Sequence, residues 1–293
     1  MSVSDGRWRA ETLGHCLDKA AKRLTAAGID SARLDARLLA ARALGWDAGQ
    51  VVARPDHTLT PEQGRILDAL FGRREAREPM SIILGCVEFW SLDFTVTPDV
   101  LAPRPDSETL VEAVLAHVED KDSTPTIVDF GTGSGCLLLA LLHELSNARG
   151  VGVDISEAAI AVAEGNAQRL HLDGRARFQV SDWDAQVEGQ FDLVIANPPY
   201  IAESDFLDIA PEVARFEPRL ALSGGMDGLD CYRALAPALN RRLASQGRAF
   251  VEIGADQAET VADVLGNAGL VVKTVHQDLA GRSRVIEAGL GDS

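Results

Sequence analysis

Apolar residues recur along this chain with two different rhythms, and the change between them divides it. Up to about Arg77 the spacing is helical: Leu13, Leu17, Ala20, Ala21 and Leu24 form one stripe that stops at Ala27-Gly28. Leu34, Leu38 and Ala41 form a second, ended by Leu44-Gly45, where glycine suits the left-handed position just past a helix. Thr60-Pro61-Glu62-Gln63 opens a third: an N-cap, an N1 proline and a glutamine that can close a capping box precede a core face of Ile66, Leu67, Leu70 and Phe71. From Pro79 to Pro98 the period shortens, and Val87 to Val96 alternates as a hairpin. Pro103-Arg104-Pro105-Asp106-Ser107-Glu108 then leads into another apolar helix, with Asp106 or Ser107 as its cap.

After Pro125 strands and helices alternate. Strands fit at 126–130, 150–153, 177–180, 191–196, 249–253, 270–276 and 284–288, and helices at 136–145, 157–170, 230–244 and 255–268. Seven strands interleaved with helices predict an α/β fold with a doubly wound, mostly parallel sheet. The connection 277–283 is too short for a crossover helix, so the last two strands pair antiparallel. The division expected is a helical bundle over 1–78, a connector with a hairpin over 79–102, and an α/β domain over 103–293.

Composition narrows the classes of partner. Of 293 residues 46% are hydrophobic and 25% charged, ordinary for a globular chain, but 44 Asp+Glu against 28 Lys+Arg leave a formal charge of -16. That balance repels a phosphate backbone and disfavours direct nucleic-acid binding. The four cysteines are scattered without a C-x-x-C pair, and the six histidines show no ligand spacing, so no metal is expected. Met1 to Leu13 has no apolar leader core and no stretch is apolar enough to span a bilayer, so a cytoplasmic chain without membrane contact is expected. Arg33, Arg37, Arg73, Arg74 and Arg77 make either a docking surface or a solvated helix face.

Three segments carry candidate chemistry. Asn197-Pro198-Pro199-Tyr200 follows an apolar strand, at the strand end where open α/β sheets bind ligands. Two prolines remove two N–H donors and stiffen the turn. The Asn197 side-chain oxygen and the Pro198 carbonyl can then accept both hydrogens of a planar –NH2, with Tyr200 covering its plane; a plain Pro-rich turn fits the same residues equally well. Gly131-Thr132-Gly133-Ser134-Gly135 links the first strand of the sheet to its helix and permits close approach of a ligand, although Cys136 occupies the third glycine position of a dinucleotide fingerprint. Asp154, about twenty residues on, can accept from two ribose hydroxyls or cap the next helix, a task Ser156 can also perform. Asp182 can accept from an adenine amino group, and Trp183 either flanks that base or belongs to the core.

These motifs together resemble the HemK/PrmC family, and the likeness covers nearly the whole chain. It is carried by Pro103 to Glu108, Asp129 to Gly135, Asp154-Ile155-Ser156, Asn197 to Tyr200, Glu217-Pro218, Gly224 to Asp230, Glu252-Ile253-Gly254 and Asp278 to Arg282. The resemblance implies a class I methyltransferase domain behind a small all-α domain. It implies S-adenosyl-L-methionine (AdoMet) as cofactor, S-adenosyl-L-homocysteine as product, and N5-methylation of the glutamine in the Gly-Gly-Gln motif of class I peptide chain release factors. By that likeness Gly131 to Gly135, Asp154, Trp183 and Asn197 hold AdoMet, with Asp182 beside them. Asn197, Pro198, Pro199 and Tyr200 hold the substrate amide, with Asn197, Pro198 and Tyr200 as the catalytic group. A monomer docking the release factor through its helical domain is expected. Asn-Pro-Pro-Tyr also occurs in adenine-N6 methyltransferases, so an exocyclic amine of nucleic acid is the alternative substrate. Ser81-Ile82 stands where the family usually has Gln-Tyr, a departure in the connector.

Overall fold

The structure, a computed structural model, describes residues 11–291; most of the stretch from Met1 to Leu13, expected to lack an apolar leader core, lies outside the described residues. In chain order the helices and strands begin with α1 (Leu13–Ala26), α2 (Ala32–Leu44), α3 (Ala48–Ala53), α4 (Pro61–Glu75) and α5 (Met80–Leu84). The hairpin strands β1 (Cys86–Phe89) and β2 (Leu92–Thr95) precede α6 (Glu108–His117), β3 (Thr126–Phe130), α7 (Cys136–Glu144), β4 (Arg149–Asp154), α8 (Glu157–Arg169) and β5 (Ala176–Val180). Then come β6 (Phe191–Ala196), α9 (Pro211–Phe216), α10 (Asp230–Arg242), β7 (Leu243–Glu252), α11 (Ala258–Asn267), β8 (Leu270–Gln277) and β9 (Ser283–Leu290). No helix among the described residues is long and apolar enough to cross a membrane.

The chain to Gly85 together with Pro211–Phe216 forms one compact unit. Its third long helix starts as the spacing requires: Thr60 Oγ1 accepts from Gln63 N at 3.2 Å, and Gln63 Oε1 from Thr60 N at 2.9 Å. Leu13, Leu24, Leu39, Leu67 and Phe71 fill its core. Two expected core positions face outward instead: Leu34 is 56% exposed and Ile66 42%. The buried face of α2 is Ala32, Asp35, Ala36, Leu39 and Ala40, because an ion pair turns it. Arg74 is itself buried, and its Nε donates to Asp35 Oδ2 at 2.7 Å while Nη1 donates to Glu212 at 3.2 Å. Arg77 donates to Glu212 at 2.7 Å and Arg73 pairs with Glu78. Of the five arginines expected on one surface, Arg33 and Arg37 stand exposed, whereas Arg74 is buried in an ion pair with Asp35 and belongs to no surface.

The rest of the described chain forms the second unit, which takes the hairpin while α5 stays with the helices, so the expected connector over 79–102 is divided between them. Its sheet runs β5-β4-β3-β6-β7-β9-β8, parallel throughout except for β9, which pairs antiparallel with both β7 and β8. Helices cover both faces, which is why the central strands read as nearly continuous apolar runs. Ile127, Leu193, Ile195 and Phe250 pack toward α6 and α7, while Val128, Val194, Ala196 and Val251 pack toward α10 and α11. The strand order reverses between β3 and β6, and the crevice at that switch point is where such sheets bind ligands.

Candidate functional site

A cavity of about 450 Å³ opens at the carboxyl ends of β3, β4 and β6. Gly131, Gly133 and Gly135 all have positive φ, at 73°, 54° and 78°, so the turn from β3 into α7 needs glycine throughout. Their tasks differ. A Cβ on Gly131 or Gly133 would meet nothing within 4 Å, whereas one on Gly135 would press on Ala163 Cβ at 3.2 Å and Leu139 and Phe178 at 3.3 Å. The first two leave room for a ligand and the third lets α7 pack closely. Gly131 N and Thr132 N both donate to Val153 O at 2.9 Å, which ties the loop to β4.

Asp154, at the end of β4, accepts from Gly133 N and from Ser156 N, both at 3.0 Å, one on each carboxylate oxygen. Each oxygen keeps a lone pair on the cavity wall. Ser156 is the cap of α8, accepting from Ala159 N at 3.2 Å, which removes the capping explanation for Asp154. Asp182 and Trp183 line the same cavity, and Trp183 also packs on the core beneath, so both readings of this tryptophan hold at once. Ser181 Oγ donates to the Trp183 carbonyl at 2.7 Å and holds a turn in which Trp183 has φ 46°.

Beneath the glycine loop Asp129 is buried; Thr132 Oγ1 donates to its Oδ2 at 2.6 Å and its Oδ1 has no partner. Burial pushes this carboxyl up to about 7, against the Thr132 hydrogen bond.

Asn197 and Pro199 line the cavity, but Pro198 and Tyr200 do not, as alternation past a strand end dictates. Tyr200 packs toward the lower core, and its carbonyl accepts from Gln257 Nε2 at 3.2 Å. Asn197 Nδ2 donates to Ser107 Oγ at 3.2 Å. Neither Asp106 nor Ser107 caps α6 with its side chain: Ser107 is turned to Asn197, and Asp106 pairs with Arg284 at 3.0 Å. Arg104 Nη2 bonds both oxygens of the nearly buried Glu217, at 2.6 and 2.7 Å, clasping the Arg-Pro stretch to Glu217-Pro218 at the cavity rim. Burial still raises the Glu217 carboxyl.

Nothing in its local sequence marks Gln257: the spacing places it in a helix over 255–268, yet α11 starts only at Ala258, and the Gln257 side chain braces Tyr200 O and accepts from Gly254 N at 3.0 Å. Cys136 and Cys231 also line the cavity, with thiols that burial pushes up, Cys136 to about 12. They stay protonated at neutral pH and offer no nucleophile. Among the described residues no cluster of His, Cys, Asp or Glu fits a metal ion.

The reversed strand order, the antiparallel β9, the glycine turn and the carboxylate ending β4 define a class I AdoMet-dependent methyltransferase fold. Residues 15–85 match the PrmC N-terminal domain and residues 105–223 the methyltransferase small domain. The chain is 48% identical to the release factor glutamine methyltransferase of Rhodospirillum rubrum, over 95% of this chain and 85% of that one. It is 43% identical to the protein of that name from Cereibacter sphaeroides, over 94% and 97%. Among solved structures, a methyltransferase from Pyrococcus furiosus aligns with TM-score 0.49 at 14% identity, over 77% of this chain and 98% of that one. The ribosomal protein L11 methylase of Lactobacillus delbrueckii subsp. bulgaricus gives 0.47 at 22%, over 64% and 81%. The chain belongs to the release factor glutamine methyltransferase family.

Proposed function

We propose that this protein methylates the N5 amide nitrogen of the glutamine in the Gly-Gly-Gln motif of class I release factors, with AdoMet as donor and S-adenosyl-L-homocysteine as product. The observation that carries the reading is Asn197: its Nδ2 is taken by Ser107, which leaves Oδ1 as an acceptor on a cavity wall shared with the glycine loop. The cavity suits AdoMet. Its volume lies within the small-molecule range, the Cβ positions of Gly131 and Gly133 are open, and Asp154 offers a lone pair on each oxygen for ribose hydroxyls. Thr132, Ser134, Asp182 and Trp183 complete that half.

When bound, AdoMet supplies an electrophilic methyl group on a sulfonium sulfur. The protein's part is to make an amide nitrogen nucleophilic. Its lone pair is delocalised into the carbonyl, and an acceptor on its N–H, Asn197 Oδ1 on the cavity wall, pulls density back onto nitrogen and orients it; the Pro198 carbonyl, the second acceptor expected from the turn, lies outside the cavity lining and would serve only an amide that reaches the turn itself. Pro199 lines the cavity beside them, and Tyr200 anchors the turn through Gln257. The amide proton leaves last, to water. The helical region serves as the release-factor docking element and residues 103–293 carry the chemistry, in a cytoplasmic monomer.

Incubation with labelled AdoMet and release factor is expected to add a single methyl to the glutamine-bearing peptide. Transfer to nucleic acid instead would favour an exocyclic amine, a substrate that the charge of -16 weighs against.

A further inference from the structure

The cavity wall behind Asn197 contains a carboxyl group that the proposed transfer leaves without a task. Ala196 of β6 is paired with Val251 of β7, so the next residue of each strand, Asn197 and Glu252, reaches the same edge of the sheet. Glu252 is 2% exposed and its Oε2 has no partner. The Ser107 hydroxyl and the Asn197 amide lie against its carboxyl and favour its charged form.

An asparagine amide has two ends of nearly equal shape and opposite hydrogen-bonding character, so its orientation is decided by its neighbours. On the buried side of Asn197 those neighbours are the Ser107 oxygen, which accepts from Nδ2, and the Glu252 carboxyl on the adjoining strand end, which when ionised can only accept. Turned the other way, Oδ1 would face a carboxylate and the cavity would receive a donor, which cannot hold a substrate –NH2. We infer that Glu252 is a positioning residue whose carboxylate holds the NH2 end of Asn197 inward, turning Oδ1 to the cavity and polarising it toward the substrate nitrogen. This rests on the proposed methylation of an amide. The polarisation runs along a chain of hydrogen bonds, carboxylate to Asn197 to substrate N–H, in which each bond strengthens the next.

The arrangement also makes transfer sensitive to protonation. Glu252 is faced by Arg284 of β9, by Asp106 before α6, by Tyr200 beyond β6, by Cys136 of α7 and by Tyr232 of α10. Burial and Asp106 raise its carboxyl to about 7, against Ser107, Arg284 and Asn197. A protonated Glu252 loses its charge and part of its hold on Nδ2, so turnover falls on the acid side of about pH 7.

The test is kcat with release factor and saturating AdoMet between pH 6 and 9, alongside AdoMet affinity by calorimetry. Glu252→Gln is expected to lower kcat by about tenfold, the scale on which partners that orient a functional side chain act. It should leave AdoMet affinity in place and flatten the acid limb. Transfer by the parent protein together with parental kcat and pH dependence in E252Q would overturn the positioning role alone; no transfer by the parent protein would overturn the functional reading and this inference with it. Ser107→Ala, which keeps the carboxylate, is the second variant and does not depend on E252Q folding. It should retain the acid limb, moved to higher pH because Ser107 no longer favours the carboxylate, and absence of the limb in this variant would assign the titration elsewhere and overturn the inference.

Discussion

Gly152→Ala tests whether the glycine loop is held in shape by the strand beneath it. Gly152 lies in β4 between Asp129 of β3 and Phe178 of β5. A Cβ added there would sit 2.6 Å from Phe178 Cδ1 and Cε1 and 2.7 Å from Thr132 Oγ1, below any real Cβ contact. Phe178 is half-buried against the core and Thr132 is held by its 2.6 Å bond to Asp129, so neither yields freely. Overpacking of this kind costs about 1–3 kcal/mol. Pushing Thr132 away leaves both oxygens of a buried carboxylate unpartnered, which adds about 1–3 kcal/mol. At about 2–4 °C per kcal/mol the sum lowers Tm by roughly 5–20 °C. Because Thr132 belongs to the loop, AdoMet affinity should fall by about tenfold or more, the equivalent of about 1.4 kcal/mol of misplacement. Gly150→Ala is the control: its Cβ meets only the Leu138 side chain of α7 and neither Thr132 nor a loop glycine, so it should cost stability and spare AdoMet binding. Thermal melts and calorimetric titration with AdoMet decide the matter. Parental affinity in G152A, or an equal loss in G150A, would refute the coupling of strand to loop.

Asn197→Ala should lower kcat on the order of 10²-fold or more while AdoMet affinity changes far less; equal losses would show that Asn197 serves the cofactor and not the amide. Arg74→Met strands Asp35 and should destabilise the helical unit by about 3–5 kcal/mol in urea titrations, whereas Arg74→Met with Asp35→Leu should recover most of this because Glu212 keeps Arg77; a single-variant loss under about 1 kcal/mol would count against a buried pair. Asp129 has a folded pKa of about 7, above its unfolded value, so the folded state binds the extra proton between the two and Asp129 costs stability increasingly as pH rises toward 7. The Tm of the parent protein relative to Asp129→Asn should therefore be more favourable at pH 5 than at pH 8, and a difference independent of pH would refute the shift.

Much of this protein is legible in local pattern, and what is legible shares a cause. The capping box at Thr60, the glycine turn at 131–135 and the apolar strands each depend on neighbours within a few residues, where spacing and backbone restriction act directly. The spacing of Leu34, Leu38 and Ala41 does not predict the buried face of α2, because a partner 39 residues away, Arg74, draws Asp35 inward and leaves Leu34 outside. Ser107 looked like a helix cap for the same reason: its real partner, Asn197, lies 90 residues on. Glu252 and Gln257 gave no local sign of their relation to the Asn-Pro-Pro-Tyr turn, since only the pairing of β6 with β7 brings them beside it. The amino-acid sequence by itself thus determined the long helices, the strands, the glycine loop and the stiff Asn-Pro-Pro-Tyr turn. Which polar groups meet behind that turn was decided by sheet order, because buried charges and amides take partners from wherever the fold supplies them.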